Sequence, residues 1–172
     1  EPDLPPLVID PGWIESIQAA LPELPVVKQH RFTQEYQLSD YDAGVLVAEQ
    51  DVADYFERVI AFLTDQHSAE ISPKMAANWI IGELFGLLNQ DNLSIEQTRV
   101  RPQGFANLLQ LVSQGDITQN TAKSVLAEMF QSGKPANEIV AEQGLTQISD
   151  GAFITELVDR VLSTNPEQVE EY

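Results

Sequence analysis

His30 and His67 are the only two imidazoles in the 172 residues, and they stand far apart in the chain. Neither has a neighbour at metal-ligand spacing, so both read as solvated surface side chains. Asp40, Asp42, Asp51 and Asp54 gather in one stretch but lack the alternation and glycine of a calcium loop. Helix caps and first-turn partners of the helix dipole explain them better. Glu167, Glu170 and Glu171 form an acidic run of the kind a solvated helix face carries. No cysteine is present, which removes disulfides, thiolate metal ligands and cysteine nucleophiles. There is no glycine-rich phosphate loop, no His-x-x-x-His pair and no serine on a strand-to-helix elbow. These residues predict no catalytic group, no metal ligand and no cofactor site.

Anion binding is the chemistry that remains. Lys74, Asn78 and Trp79 sit at the start of an apolar helical stretch, where unsatisfied backbone donors favour a phosphate. Alternatively Trp79 belongs to the core and Lys74 is simply exposed, its stem covering apolar surface. Net charge opposes nucleic-acid contact. Nine Lys and Arg face 27 Asp and Glu, a formal charge of −18, whereas phosphate recognition ordinarily needs a basic face.

Hydrophobic residues make up 43% of the chain, enough for a sizeable core without staples. The apolar tract at 75–88 is broken by Asn78, Gly82, Glu83 and Gly86. It falls short of the roughly 20 apolar residues that a membrane span needs. No basic start with a long apolar run marks a secretory signal. The lack of cysteine suits a reducing compartment, and the expected location is cytoplasmic.

Periodicity and caps predict helices throughout. The opening EPDLPPLVID is proline-rich and reads as extended. Asp10 and Pro11 start a short helix that Pro22 ends, and Pro25 opens another to about Gln37 with Phe32 inward. Ser39 and Asp42 form a capping-box variant before a helix to Ala48. Asp51 is expected to cap the next, with Val52, Tyr55, Phe56, Val59, Phe62 and Leu63 at helical spacing. Ser72-Pro73 start the most apolar helix, expected at the centre of the bundle with Trp79, Ile80, Leu84 and Leu88 buried. Gly82 and Gly86, four apart, predict a groove where another helix comes close, because interior glycine costs about 1 kcal/mol relative to alanine.

After a loop at 92–101, Pro102 opens a helix with Phe105, Leu108, Leu109 and Val112 on one face. Gly115-Asp116 make a turn, and Thr118 caps a helix carrying Ala122, Val125, Leu126, Met129 and Phe130 until Gly133 stops it. Pro135 begins a short helix that stops at Gly144. Ser149 caps an amphipathic one with Ile154, Leu157, Val158, Val161 and Leu162. No strand pattern appears. The predicted fold is all-α: a helical bundle domain at 25–145, followed at 146–172 by the start of a small helical tail domain. Residues 1–24 read as the end of another domain and a linker, and both ends read as cut from larger units.

Several long motifs resemble one family. EPDLPPLVID, ELPVVKQHRFTQEYQLSDYDAGVL, PKMAANWIIGELFGLLN and GDITQNTAKSVLAEMFQSGK are similar, in order, to the region that closes the catalytic domain and forms the helical domain of one enzyme component. That component is the B subunit (GatB) of the bacterial glutamine-dependent aspartyl/glutamyl-tRNA(Asn/Gln) amidotransferase. QGLTQISDGAFITELVDRVLSTNPEQVEEY resembles the entry into its YqeY-like tail. The resemblance implies a ligase acting in protein biosynthesis on misacylated Asp-tRNA(Asn) and Glu-tRNA(Gln), with the A and C subunits of the amidotransferase as partners. ATP and magnesium belong to a catalytic domain upstream of these residues. It also implies a lysine- and glycine-rich continuation that contacts tRNA beyond the position of Tyr172.

Two roles follow from the resemblance. One is an appendage that positions tRNA, for which Lys74, Arg99, Arg101, Lys123 and Lys134 are the candidate contacts. Arg99 and Arg101 flank a loop, where guanidinium forks reach phosphates without distorting a helix. The other is an acidic scaffold for domains and subunits, with tRNA binding supplied elsewhere. Convergence of those five cations on one face favours the first role, and scatter favours the second.

Overall fold

The computed structural model describes residues 10–20, 23–66 and 71–145. His67, the acidic run at 167–171 and the expected tail domain lie outside the described residues. Within them the chain is helical with no strand, an all-α fold. The order is α1 (Pro11–Ala20), α2 (Pro25–Glu35), α3 (Asp40–Val47), α4 (Gln50–Asp65), α5 (Pro73–Trp79), a π-helical turn (Ile80–Leu84) and α6 (Phe85–Asp91). A 3₁₀ turn (Ile95–Gln97) then leads into α7 (Pro102–Ser113), α8 (Gln119–Ser132) and α9 (Ala136–Gln143).

Local chemistry sets most boundaries. Ser72 Oγ accepts from the Met75 N–H at 3.2 Å, and Thr118 Oγ1 accepts from the Thr121 N–H at 3.1 Å. Each cap satisfies one of the donors that a helix start leaves open. Ser39 Oγ accepts from the Asp42 N–H at 3.0 Å and donates to its Oδ2 at 2.7 Å. Gly133 and Gly144 stop α8 and α9 at φ of 75° and 61°, a left-handed conformation that glycine adopts without a Cβ clash.

Three expectations about the elements are corrected. Glu49, not Asp51, occupies the cap position of α4, so Asp51 falls in the first turn, where its charge still complements the helix dipole. α2 ends at Glu35, short of Gln37, because Gln37 turns the chain at φ 54°. Phe62 is exposed while Leu63 beside it is buried, so the apolar stripe of α4 is narrower than its spacing suggested.

The core is wholly apolar among the described residues, and no buried side-chain polar atom there lacks a partner. Phe32, Tyr36 and Phe56 pack edge-on or tilted at 5.2–5.4 Å between centroids, locking α2 onto α4. Tyr55 meets Phe105 at 6.1 Å and joins α4 to α7. Trp79, Ile80, Leu84 and Leu88 are all buried. The middle of the bundle nevertheless belongs to α4, which packs most extensively on α7 and also touches α3, α5 and the 3₁₀ turn. The helical run 73–91 packs beside it and exposes Lys74, Asn78, Gly82, Asn89 and Gln90 along its outer side.

Gly82 and Gly86 do not form a close helix contact. A Cβ placed at either would meet nothing within 4 Å. The π-helical turn at Ile80–Leu84 contains Gly82 and ends two residues before Gly86. One extra residue per turn shifts the register that a regular helix would have used to aim both glycines at a neighbour.

Candidate nucleic-acid interface

The segment between the 3₁₀ turn and α7 carries the site. Val100 is buried, and its backbone carbonyl accepts a 2.9 Å hydrogen bond from the Tyr55 hydroxyl on α4. Its N–H donates to Thr98 Oγ1 at 3.2 Å. Pinned at Val100, the chain must present the flanking residues outward, and Arg99 and Arg101 are both exposed. Burial holds the Tyr55 hydroxyl far above the ordinary tyrosine range, so it stays a donor.

Arg99 and Arg101 line a cleft of about 320 Å³ with Gln103, Asn107, Gly133 and Lys134. Three of the five candidate cations therefore converge, and no carboxylate lines this cleft. Gln103 and Asn107 add neutral amides of the kind that position a sugar-phosphate backbone. The glycine stop of α8 shapes the opening, since the Arg99 side chain lies across Gly133, 3.5 Å from where a Cβ would sit. Arg99 Nη1 donates to the Gln131 carbonyl, one of the acceptors that the end of α8 leaves open. Arg99 thus ties the segment to α8 while holding positive charge at the rim.

Lys134 is already engaged. Its ammonium contacts both Glu142 oxygens at 2.7 and 2.8 Å and Glu138 at 3.7 Å. The Glu142 hydrogen bond comes first among the causes that raise its pKa. Lys123 lies outside the cleft and pairs with Glu83 at 2.7 Å. Lys74, at the start of α5, is exposed and also outside it. Lys28 and Arg31 hold the fold together. Lys28 bonds Asp54 and Glu57 at 3.1 Å each, and Arg31 reaches Glu23 at 2.6 Å and Glu57 at 2.8 Å. Hydrogen bonding to Arg31 is the main cause that lowers the Glu23 pKa. Sequence reasoning missed Arg58, which lines a neighbouring cleft with Arg101. Its signal was the spacing Asp51, Asp54, Tyr55, Arg58, which places all four on one side of α4.

No group of three His, Asp or Glu that could hold a metal occurs among the described residues. No helix among them is long and apolar enough to cross a membrane.

Fold and site together define an acidic, all-helical chain in which Arg99, Arg101 and Lys134 line one cleft. Comparison with known proteins specifies it further. Residues 54–172 match the GatB domain, and the chain belongs to that family. The B subunit of the aspartyl/glutamyl-tRNA(Asn/Gln) amidotransferase of Moorella thermoacetica is 47% identical over 172 residues, 100% of this chain and 35% of that protein. The B subunit of the same name from Carboxydothermus hydrogenoformans is 42% identical over all of this chain, with 34% of its own length covered. That of Persephonella marina is also 42% identical over all of this chain, with 35% covered. The chain spans about a third of the length of these curated relatives.

Proposed function

We propose that this region is a non-catalytic part of an amidotransferase B subunit that helps position misacylated Asp-tRNA(Asn) or Glu-tRNA(Gln) for transamidation. The observation that carries the proposal is the meeting of Arg99, Arg101 and Lys134 on one cleft without a lining carboxylate. Guanidinium groups at such a rim offer forked donors to phosphate. Contact is local, because most of the surface carries the charge of a −18 chain. The expected affinity of the 172-residue chain for free tRNA is no tighter than the non-specific range of about 10⁻⁴–10⁻⁶ M. Amidation chemistry, ATP and magnesium fall to the rest of the assembly, in which the A and C subunits are the partners.

A scaffold role is the second reading, favoured by the pairing of Lys28, Arg31, Lys123 and Lys134 with the chain's own carboxylates. Titration of the chain with labelled tRNA at low salt separates the two. Under the positioning role the Arg99→Ala/Arg101→Ala double variant binds several-fold more weakly than the wild type. Undetectable binding by the wild type favours the scaffold, and tight binding that the double substitution leaves unchanged refutes the site.

A further inference from the structure

Among the described residues, Lys28, Arg31, Lys123 and Lys134 meet carboxylates at 2.6–3.7 Å. Arg58 and Arg101 make neither an ion pair nor a side-chain hydrogen bond there. Both nevertheless line a second cleft of about 390 Å³ that also contains Asp51, Asp54 and Glu96. Two guanidinium groups left unpaired beside carboxylates, in a chain with three acids for each base, are available to an anion from outside. The cleft shares Val100 and Arg101 with the first, so one ligand can run across both.

The second cleft differs in charge. Two guanidinium groups here face three carboxylates, Asp51, Asp54 and Glu96, and Asp54 shares the one charge of Lys28 with Glu57, each at 3.1 Å. A cleft so balanced attracts a bare polyanion weakly. It suits a ligand that combines one anionic group with hydroxyl donors. Its volume lies at the small end of the range of about 300–1,000 Å³ in which compact polar ligands are held.

We propose that this cleft takes a ribose-phosphate unit of an RNA strand, with Arg58 and Arg101 on the phosphate and Asp51 and Glu96 accepting from ribose hydroxyls. The inference rests on the tRNA-positioning role, extends it from one cleft to two, and adds Arg58 as a contact residue. It also gives the surface a way to tell RNA from DNA, because only ribose offers a 2′-hydroxyl donor.

The test is a fluorescence anisotropy titration of the 172-residue chain with labelled tRNA and with a DNA hairpin of matching sequence, across a salt series. Arg58→Ala weakens tRNA binding about five- to tenfold, in line with the loss of one solvent-exposed hydrogen-bonded contact, and lowers the logarithmic salt slope by about 0.7–0.9. Arg58→Lys restores most of the slope, which separates charge from folding. Asp51→Ala/Glu96→Ala removes both acceptors and reduces the preference for RNA over DNA. A purely electrostatic patch would instead gain affinity equally for both, which overturns the ribose assignment.

If Arg58→Ala binds tRNA like the wild type while Arg99→Ala/Arg101→Ala does not, this inference is overturned and the positioning role stands. If neither variant changes binding, both fall. If 5′-AMP binds in an Arg58-dependent way while tRNA binding ignores Arg58, the cleft takes a free nucleotide and the strand assignment is wrong.

Discussion

Replacing Tyr55 with phenylalanine removes one atom from the joint that aims Arg99 and Arg101. The ring stays, so its packing on Phe105 at 6.1 Å is kept. Only the 2.9 Å hydrogen bond to the Val100 carbonyl is lost. A neutral hydrogen bond contributes about 1 kcal/mol net, and an acceptor left buried without a partner costs about 1–3 kcal/mol. Val100 is 1% exposed, so water cannot readily replace the hydroxyl. Tyr55→Phe should therefore destabilise the chain by about 1–3 kcal/mol in urea titration, with the midpoint shifted and the slope unchanged. The effect should also depend on pH. An unfolded tyrosine ionises near pH ~10, whereas burial holds folded Tyr55 far above that value. Its contribution is full below the unfolded pKa and falls as the pH rises beyond it, because the unfolded chain loses a proton that the folded one keeps. The gap between wild type and Tyr55→Phe should narrow between about pH 9 and 11, and the other tyrosines cancel in the difference. A neutral-pH gap under about 0.5 kcal/mol, or one that widens with pH, would refute the reasoning.

Leu84→Ala should destabilise by about 2–5 kcal/mol in denaturant titration, since a fully buried leucine within the π-helical turn leaves a cavity. Gly86→Ala should be neutral or stabilising by up to about 1 kcal/mol in the same assay, because a new Cβ meets open space and alanine favours the helix. Gly86→Val should show no overpacking penalty, and a loss above about 1 kcal/mol would restore the close-contact expectation. The 172-residue chain on its own should show no amidotransferase, glutaminase or ATPase activity, and measurable turnover would contradict the non-catalytic role.

Helix ends were the most legible part of this sequence. Ser39, Ser72, Thr118, Gly133 and Gly144 carry their instruction in their own side chain or its absence. Position within the bundle was less legible. The tract 75–88 looks more central than α4 because hydrophobicity does not say which helix has neighbours on several sides, and α4 gains them through tertiary packing. The π-helical turn has no proline to mark it, so the outward drift of Gly82 and Gly86 could not be read. In the candidate site, Arg99 and Arg101 were visible as loop cations. Lys134 joins them at the cleft because α8 stops at Gly133, and Arg58 sits inside a regular helix, where only its spacing with Asp51, Asp54 and Tyr55 marked it.

The central claim is a place on the surface, so the most direct test is a map. An ¹H–¹⁵N spectrum of the labelled chain, recorded while unlabelled tRNA is added at low salt, reports each backbone amide and arginine side chain separately. Shifts or broadening are expected at Arg99, Arg101, Gln103, Gly104, Asn107, Gly133 and Lys134, with α2 quiet because its Lys28 and Arg31 are held by Glu23, Asp54 and Glu57, and α3 quiet because it carries no Lys or Arg. Perturbations centred on Lys74 or Lys123 with the 99–107 segment silent would contradict the claim.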